Sequence, residues 1–230
     1  VSTTCTITAG HQVLLGTYIC LTTGGACTGV PSQAFTISDN VNNPEPCFHV
    51  APSSPNSLTD SPNTSTLKWA WYACANLPSG VTQINVVASS SYAFGAAWIA
   101  DLTGGASSNL VDVDGCAASS TATTSASITT ATAPCGASTP TTNANDLIVG
   151  MIDNDHDEVQ TIGSGFTTII CDTFGNGCLQ AKSVTSIGTY SVSATWTGTD
   201  SWFGQMIALK SSAPSITPAP SPAMFVENFR

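Results

Sequence analysis

No stretch of this chain repeats apolar residues at helical spacing over a useful length. Its apolar residues come instead in short β-branched and aromatic runs separated by Gly, Pro, Asn and Asp. That pattern restricts the fold to packed sheets. Val1–Thr8 alternates, with Val1, Thr3, Cys5 and Ile7 on one face. HQVLLGTYICL (11–21) is a continuous apolar run of strand length, and FTIS (35–38) is followed by the turn formers of 39–44. LKWAWYACA (67–75), VTQINVVA (81–88) and YAFGAAWIADL (92–102) supply three more strands. DLIVGMI (146–152), FTTIIC (166–171), 181–184, YSVSATW (190–196) and WFGQMIAL (202–209) complete the series. The Pro-, Ser- and Asn-rich residues 51–66 read as a long loop. The Ser/Thr/Ala stretch 117–145 reads either as an O-glycosylated segment or as a long edge strand and loop. The expected fold is all-β: a two-sheet antiparallel sandwich of jelly-roll or Greek-key type with an extended C-terminal tail strand.

The tail divides the chain. Residues 1–210 form the sandwich, and 211–223, with proline at 214, 218, 220 and 222, form a stiff extended linker. Residues 224–230 carry Met224, Phe225, Val226 and Phe229, the composition of a strand that needs a sheet.

Charge excludes whole classes of partner. Four Lys+Arg stand against 14 Asp+Glu, a formal net charge of −10, so no basic patch for nucleic acid or an anionic membrane can be assembled. No apolar run reaches membrane-spanning length, which argues against membrane insertion. Nine cysteines with almost no lysine indicate an oxidising compartment. Near neighbours suggest Cys20–Cys27, Cys171–Cys178 and Cys116–Cys135, with Cys47–Cys74 as a cross-strand pair and Cys5 left over; spacing alone does not decide the connectivity. No CxxC spacing supports zinc. Val1 opens without a start methionine or an apolar leader, so the expectation is a secreted, mature chain, extracellular or on a cell surface.

Candidate chemistry is sparse. Asp153, Asp155 and Asp157 alternate as oxygen ligands for calcium would, yet the glycine and glutamate of an EF-hand loop are missing, and a solvated acidic loop is the competing reading. Asp112-Val113-Asp114-Gly115 is a second such stretch, and beyond these the chain calls for no cofactor. Asn63-Thr64-Ser65 is an N-glycosylation sequon. The histidines 11, 49 and 156 lie beside no nucleophile elbow, and acidic pairs suited to glycoside hydrolysis occur no more often than chance; the expectation is not an enzyme. Trp69, Trp71 and Trp98 read as core residues or as a sugar-stacking platform.

Several segments carry a family likeness: AGHQVLLGTYI (9–19), the Ser-Asp-Asn turn at 38–40, WYACANLPSGVTQINVVAS (71–89), TTNANDLIVGMI (141–152), GSGFTT (163–168) and WFGQMIALK (202–210). On these, the span from Ala9 to Leu209 resembles a family of secreted bacterial β-sandwich domains, common in large surface proteins and mostly without assigned function. The likeness implies a scaffold and brings no catalytic residues. The cysteine clips are additions to the family pattern. Members also open with one further strand, and MFVEN (224–228) at the far end of this chain resembles that missing strand.

A sandwich short of one strand leaves an edge open to another. The expected function is therefore a secreted structural subunit that joins identical subunits head to tail. Residues 224–229 would enter the neighbour beside an acceptor edge of Val1, Thr3, Cys5 and Ile7. The alternative is a monomeric carbohydrate-binding module, with glycans as ligands and the tail inserted in cis.

Overall fold

The computed structural model describes residues 2–4, 11–20, 35–41, 47–60, 65–74, 80–88, 94–106, 109–130, 138–154, 159–172, 175, 177–211, 217–218 and 224–227. Fifteen strands run through them: β1 (Ser2–Thr4), β2 (Gln12–Cys20), β3 (Phe35–Asp39), β4 (Cys47–Asp60), β5 (Ser65–Cys74), β6 (Gln83–Ala88), β7 (Phe94–Thr103) and β8 (Val111–Thr129). There follow β9 (Asp146–Asn154), β10 (Thr161–Ile162), β11 (Thr167–Cys171), β12 (Gly177–Val184), β13 (Ser191–Lys210), β14 (Thr217–Pro218) and β15 (Met224–Glu227). All pairings among them are antiparallel. The all-β, antiparallel class read from the sequence is the class observed.

Two six-stranded sheets face each other. One runs β14-β7-β2-β5-β4, with β15 also on β7; the other runs β10-β13-β9-β12-β11, with β8 also on β13. Leu14, Trp71, Trp98 and Leu102 from the first meet Leu147, Val149, Met151, Phe203, Ile207 and Leu209 from the second in one buried cluster. A smaller third sheet, β1-β6-β3, was not anticipated; Ile84 and Val86 of its central strand are buried.

Strand β9 is buried along its whole length, which explains why its central run LIVGMI is continuously apolar rather than alternating. Leu147, Val149 and Met151 face the other large sheet. Ile148 and Ile152 face the opposite way, into a second cluster with Ala126, Ile128, Val192 and Ala194. That second cover comes from the same sheet. Strands β8 and β13 pair almost end to end as a long ribbon, with register shifts between Thr195 and Trp202. Such irregularities bend a strand. The far part of the ribbon therefore turns back over the outer face of β9 and of the near part of β13.

Two glycines make this approach close enough. A Cβ at Gly150 would stand 2.5 Å from Val192 Cγ2, and one at Gly204 would stand 2.5 Å from Ile128 Cδ1. Both gaps are shorter than two carbon atoms tolerate.

Two expectations need correction. Residues 51–60 are strand, not loop: β4 continues through Pro52 and Pro55. It can do so because it is the outermost strand of its sheet and its register to β5 shifts between Ala51 and Asn56, where the prolines need no ladder bonds. The segments 190–196 and 202–209, read as separate strands, are one strand, because β8 pairs with both across the bend. The 117–145 stretch contributes to the 19-residue β8.

The close approach makes a direct prediction. Gly204→Val should lower the free energy of unfolding by about 3 kcal/mol, measured by denaturant titration, because the new methyls collide with Ile128 and with the Met151 carbonyl. A value within about 0.5 kcal/mol of wild type, the range of ordinary surface substitutions, would show that the ribbon does not pack onto this face.

Candidate functional site

The tail lies on β7. Met224, Phe225, Val226 and Glu227 pair with Ile99, Trp98, Ala97 and Ala96, and Thr217 and Pro218 pair with Thr103 and Leu102. Strand β2 holds the other edge of β7 from Phe94 to Leu102. Among the described residues, β14 and β15 thus supply the only pairing on the outer edge of β7. The linker expected over 211–223 is therefore not a spacer throughout, since its Thr217–Pro218 step joins the sheet. Phe229 lies outside the described residues.

Of the acceptor edge expected at Val1, Thr3, Cys5 and Ile7, only Thr3 lies among the described residues. Ser2, Thr3 and Thr4 pair with Asn85, Ile84 and Gln83 of β6, in the small sheet. Val1, Cys5 and Ile7 lie outside the described residues. The edge that receives the tail in the single chain is β7, because the tail departs from Ser211, which is bridged to Gly105 just beyond the end of β7.

The cysteines follow the strand register. Cys171 and Cys178 form a disulfide between directly paired residues of β11 and β12. Cys47 stands directly opposite Cys74 on β4 and β5. Cys116 is disulfide-bonded, and its expected partner Cys135 lies outside the described residues, as does Cys27, the partner expected for Cys20.

The acidic stretch is only partly visible. Asp153 is buried at the end of β9, while Asp155, Asp157 and the sequon residue Asn63 lie outside the described residues. The residue that approaches Asp153 is one the sequence did not single out, Asp172. A Cβ at Gly177 would stand 2.9 Å from Asp172 Oδ2 and 3.1 Å from Asp153 Oδ2. No group of three or more metal-ligating side chains occurs among the described residues. Trp71 and Trp98 are fully buried between the large sheets and offer no ring face to a sugar.

A second polar constellation was only partly visible in the sequence, which marked Asp112 but not its partners, because its members come from distant segments. Asp112 is the extra residue of a β-bulge: Ala208 pairs with Val113 and Leu209 with Val111, and Asp112 is skipped. A bulge re-aims the side chain it carries. The Asp112 carboxylate accepts hydrogen bonds at Oδ2 from the Thr142 amide (2.6 Å) and the Asn143 amide (3.1 Å), and at Oδ1 from the Thr142 hydroxyl. Lys210 Nζ stands 3.6 Å from Oδ1, and the Asp112 side chain is 1% exposed. Asp146, paired in register with Lys210, accepts at Oδ1 from Asn143 Nδ2 (2.9 Å), while its buried Oδ2 receives no hydrogen bond.

The two carboxyls diverge in acidity. Burial alone would raise Asp112, but the hydrogen bonds from Thr142 and Asn143 outweigh it and hold the group below the usual carboxylate range. Burial pushes Asp146 up to about 6, with the neighbouring Asp112 charge adding to the rise and Asn143 and Lys210 opposing it. As pH falls, Asp146 is therefore the first of the two to take a proton.

On the opposite face of the first sheet, His11 Nδ1 lies 2.9 Å from Asp101 Oδ1, a side-chain pair that ties the start of β2 to the end of β7. Near it the Gln12 amide donates to the Gly105 carbonyl.

Trp98→Ala should destabilise the fold by about 3–5 kcal/mol, as large-to-small changes in a packed core do, measured by chemical denaturation. A stable Trp98→Ala protein would place that ring at the surface instead. Replacing both Cys171 and Cys178 by serine should cost about 2 kcal/mol, the loop entropy of a short bridge, in a non-reducing denaturation series. Comparison with protein-family models, with curated proteins and with solved structures returns no match for this chain.

Proposed function

We propose that this chain is a secreted structural subunit that joins identical copies head to tail, the strand Met224–Glu227 of one copy lying along β7 of the next. The supporting observation is the pairing of β7. This strand lies over the core of the sandwich through Trp98, Ala100 and Leu102, yet its outer edge is paired by the C-terminal segments and by no other described strand. Removing them leaves a ten-residue strand with a row of unpaired amides and carbonyls, a template for any extended segment of matching composition.

Cis and trans occupancy make the same contact. An element that docks on its own domain docks equally on an identical neighbour when the connecting segment reaches, and the proline-rich residues between Ser211 and Met224 are suited to extend. Donor and groove are different surfaces, so the contact is heterologous and repeats without closing, which yields filaments. The Cys171–Cys178 bridge and the oxidised Cys116 suit an oxidising, extracellular setting.

Two measurements test this. Deletion of residues 223–230 should convert filaments seen by negative-stain microscopy into monomers on size exclusion. A wild-type chain that stays monomeric at high concentration would overturn the proposal. The double variant Ala96→Cys, Glu227→Cys places two thiols at one register position. On a non-reducing denaturing gel, a ladder of covalent multimers is the expected result. A single monomer band with both thiols consumed would mean that the tail serves its own domain.

A further inference from the structure

We infer that Lys210 and Asp112 form an intramolecular amide, so that the last core strand β13 is joined covalently to β8 at the point where the tail leaves the domain. The side chains are placed for acyl transfer, and the inference does not depend on the assembly proposed above.

The nucleophile is the Lys210 amine, 3.6 Å from Asp112 Oδ1. That oxygen is bonded to the carbon to be attacked, and holding a nucleophile beside its electrophile in fixed orientation gains several orders of magnitude over the same groups free in solution. The electrophile is the Asp112 side-chain carbon. Its Oδ2 already sits between two backbone amides, those of Thr142 and Asn143, at 2.6 and 3.1 Å. That arrangement stabilises the negative charge that develops on a carbonyl oxygen when the carbon is attacked. Its Oδ1 is the oxygen on the Lys210 side, contacted also by the Thr142 hydroxyl, and it is the one to leave.

A proton donor stands beside it. Asp146 neighbours the Asp112 carboxyl, is 1% exposed, and has an Oδ2 that receives no hydrogen bond. A proton on that oxygen ends its isolation and gives Asp146 a hydrogen to donate. Its acidity is already shifted in this direction, toward about 6.

The step balances without a further reactant. Asp146 gives its proton to Asp112 Oδ1, and the Lys210 amine gives one of its own back to Asp146. The nitrogen–carbon bond forms as the carbon–Oδ1 bond breaks; the second proton lost from the ammonium completes the water molecule that departs. An ammonium and a carboxylate become an amide and one water, and Asp146 ends as it began. Burial of Asp112 keeps bulk water from reversing the reaction, while the Lys210 side chain, 32% exposed, leaves the water an exit.

The backbone around the pair is pinned. The Lys210 amide donates to the Leu110 carbonyl (2.7 Å), the Ala106 amide donates to the Lys210 carbonyl (2.9 Å), and the Ser211 amide donates to the Asn145 carbonyl (3.0 Å). The reacting groups are thus held by 109–112, 142–146 and 210–211, with Ala106 hydrogen-bonded to the last of these. In a subunit pulled through its tail, force would enter the domain at Lys210, and the amide would pass it to β8 through a bond rather than through ladder hydrogen bonds alone.

Mass spectrometry of the reduced, folded, full-length chain tests the bond. The expected mass is that of the sequence less one water. Trypsin should fail to cut after Lys210, leaving 183–230 attached through Asp112 to 69–182, since the chain's other cleavable residues are Lys68, Lys182 and Arg230. Asp112→Ala and Lys210→Arg should each restore the full mass, and Asp146→Asn should slow formation at least tenfold in a time course after refolding. A wild-type chain of full mass that is cut normally after Lys210 overturns the inference and leaves a plain ion pair. A missing water that maps to other residues overturns it as well.

Discussion

Strand β13 is the element on which the rest of the molecule depends. One of its edges carries β8 nearly from end to end, and the other carries β10 and then β9. Its two faces serve different cores: Phe203, Ile207 and Leu209 point between the large sheets, and Met206 and Ala208 point to the outer layer. A strand used on both edges and both faces has no polar side to give away, which is why WFGQMIAL is apolar apart from the buried Gln205. Gly204 and Gly150 belong to the same constraint. They are the points at which the returning ribbon comes nearer than a side chain allows.

The same accounting of backbone groups governs the tail. A strand in a packed sheet must have its amides and carbonyls paired on both sides or face water on one. Strand β7 contributes Trp98, Ala100 and Leu102 to the main core and is paired on its outer edge by segments that lie past the end of β13. The domain is therefore completed by residues joined to it only through a proline-rich connection. Whether those residues belong to the same copy or to the next one is a matter of connectivity, since the hydrogen bonds are identical. The assembly reading rests on that equivalence.

Much of the fold is legible residue by residue. The runs at 11–21, 81–88, 92–102 and 146–152 are strands because their apolar content and turn-forming flanks leave little else. Cys171–Cys178 is legible for a related reason, since two short strands joined by a tight turn bring residues seven apart into register. The prolines of 51–60 mislead because they report a local loss of donors, and an edge strand with a register shift can accept that loss. The calcium reading drew on neighbours in sequence, Asp153, Asp155 and Asp157. The structure instead brings Asp153 toward Asp172, from the turn between β11 and β12.

What the amino-acid order determined by itself is the local conformation: which segments extend, where they turn, that helices are excluded, and that a detached apolar strand closes the chain. Those properties depend on the sterics and burial preference of residues within one run. What only the tertiary structure decided is which edge needs that strand and which polar groups meet. The tail goes to β7 rather than to Ser2–Thr4 because the chain leaves the domain at Ser211, bridged to Gly105 just past the end of β7. Asp112, Asp146 and Lys210 are dispersed over some hundred residues, and although Asp112 stands out in its Asp-Val-Asp-Gly stretch, nothing there points to Asp146 or Lys210. A bulge opposite Leu209 and the register between β9 and β13 bring them together, and both are products of long-range hydrogen bonding.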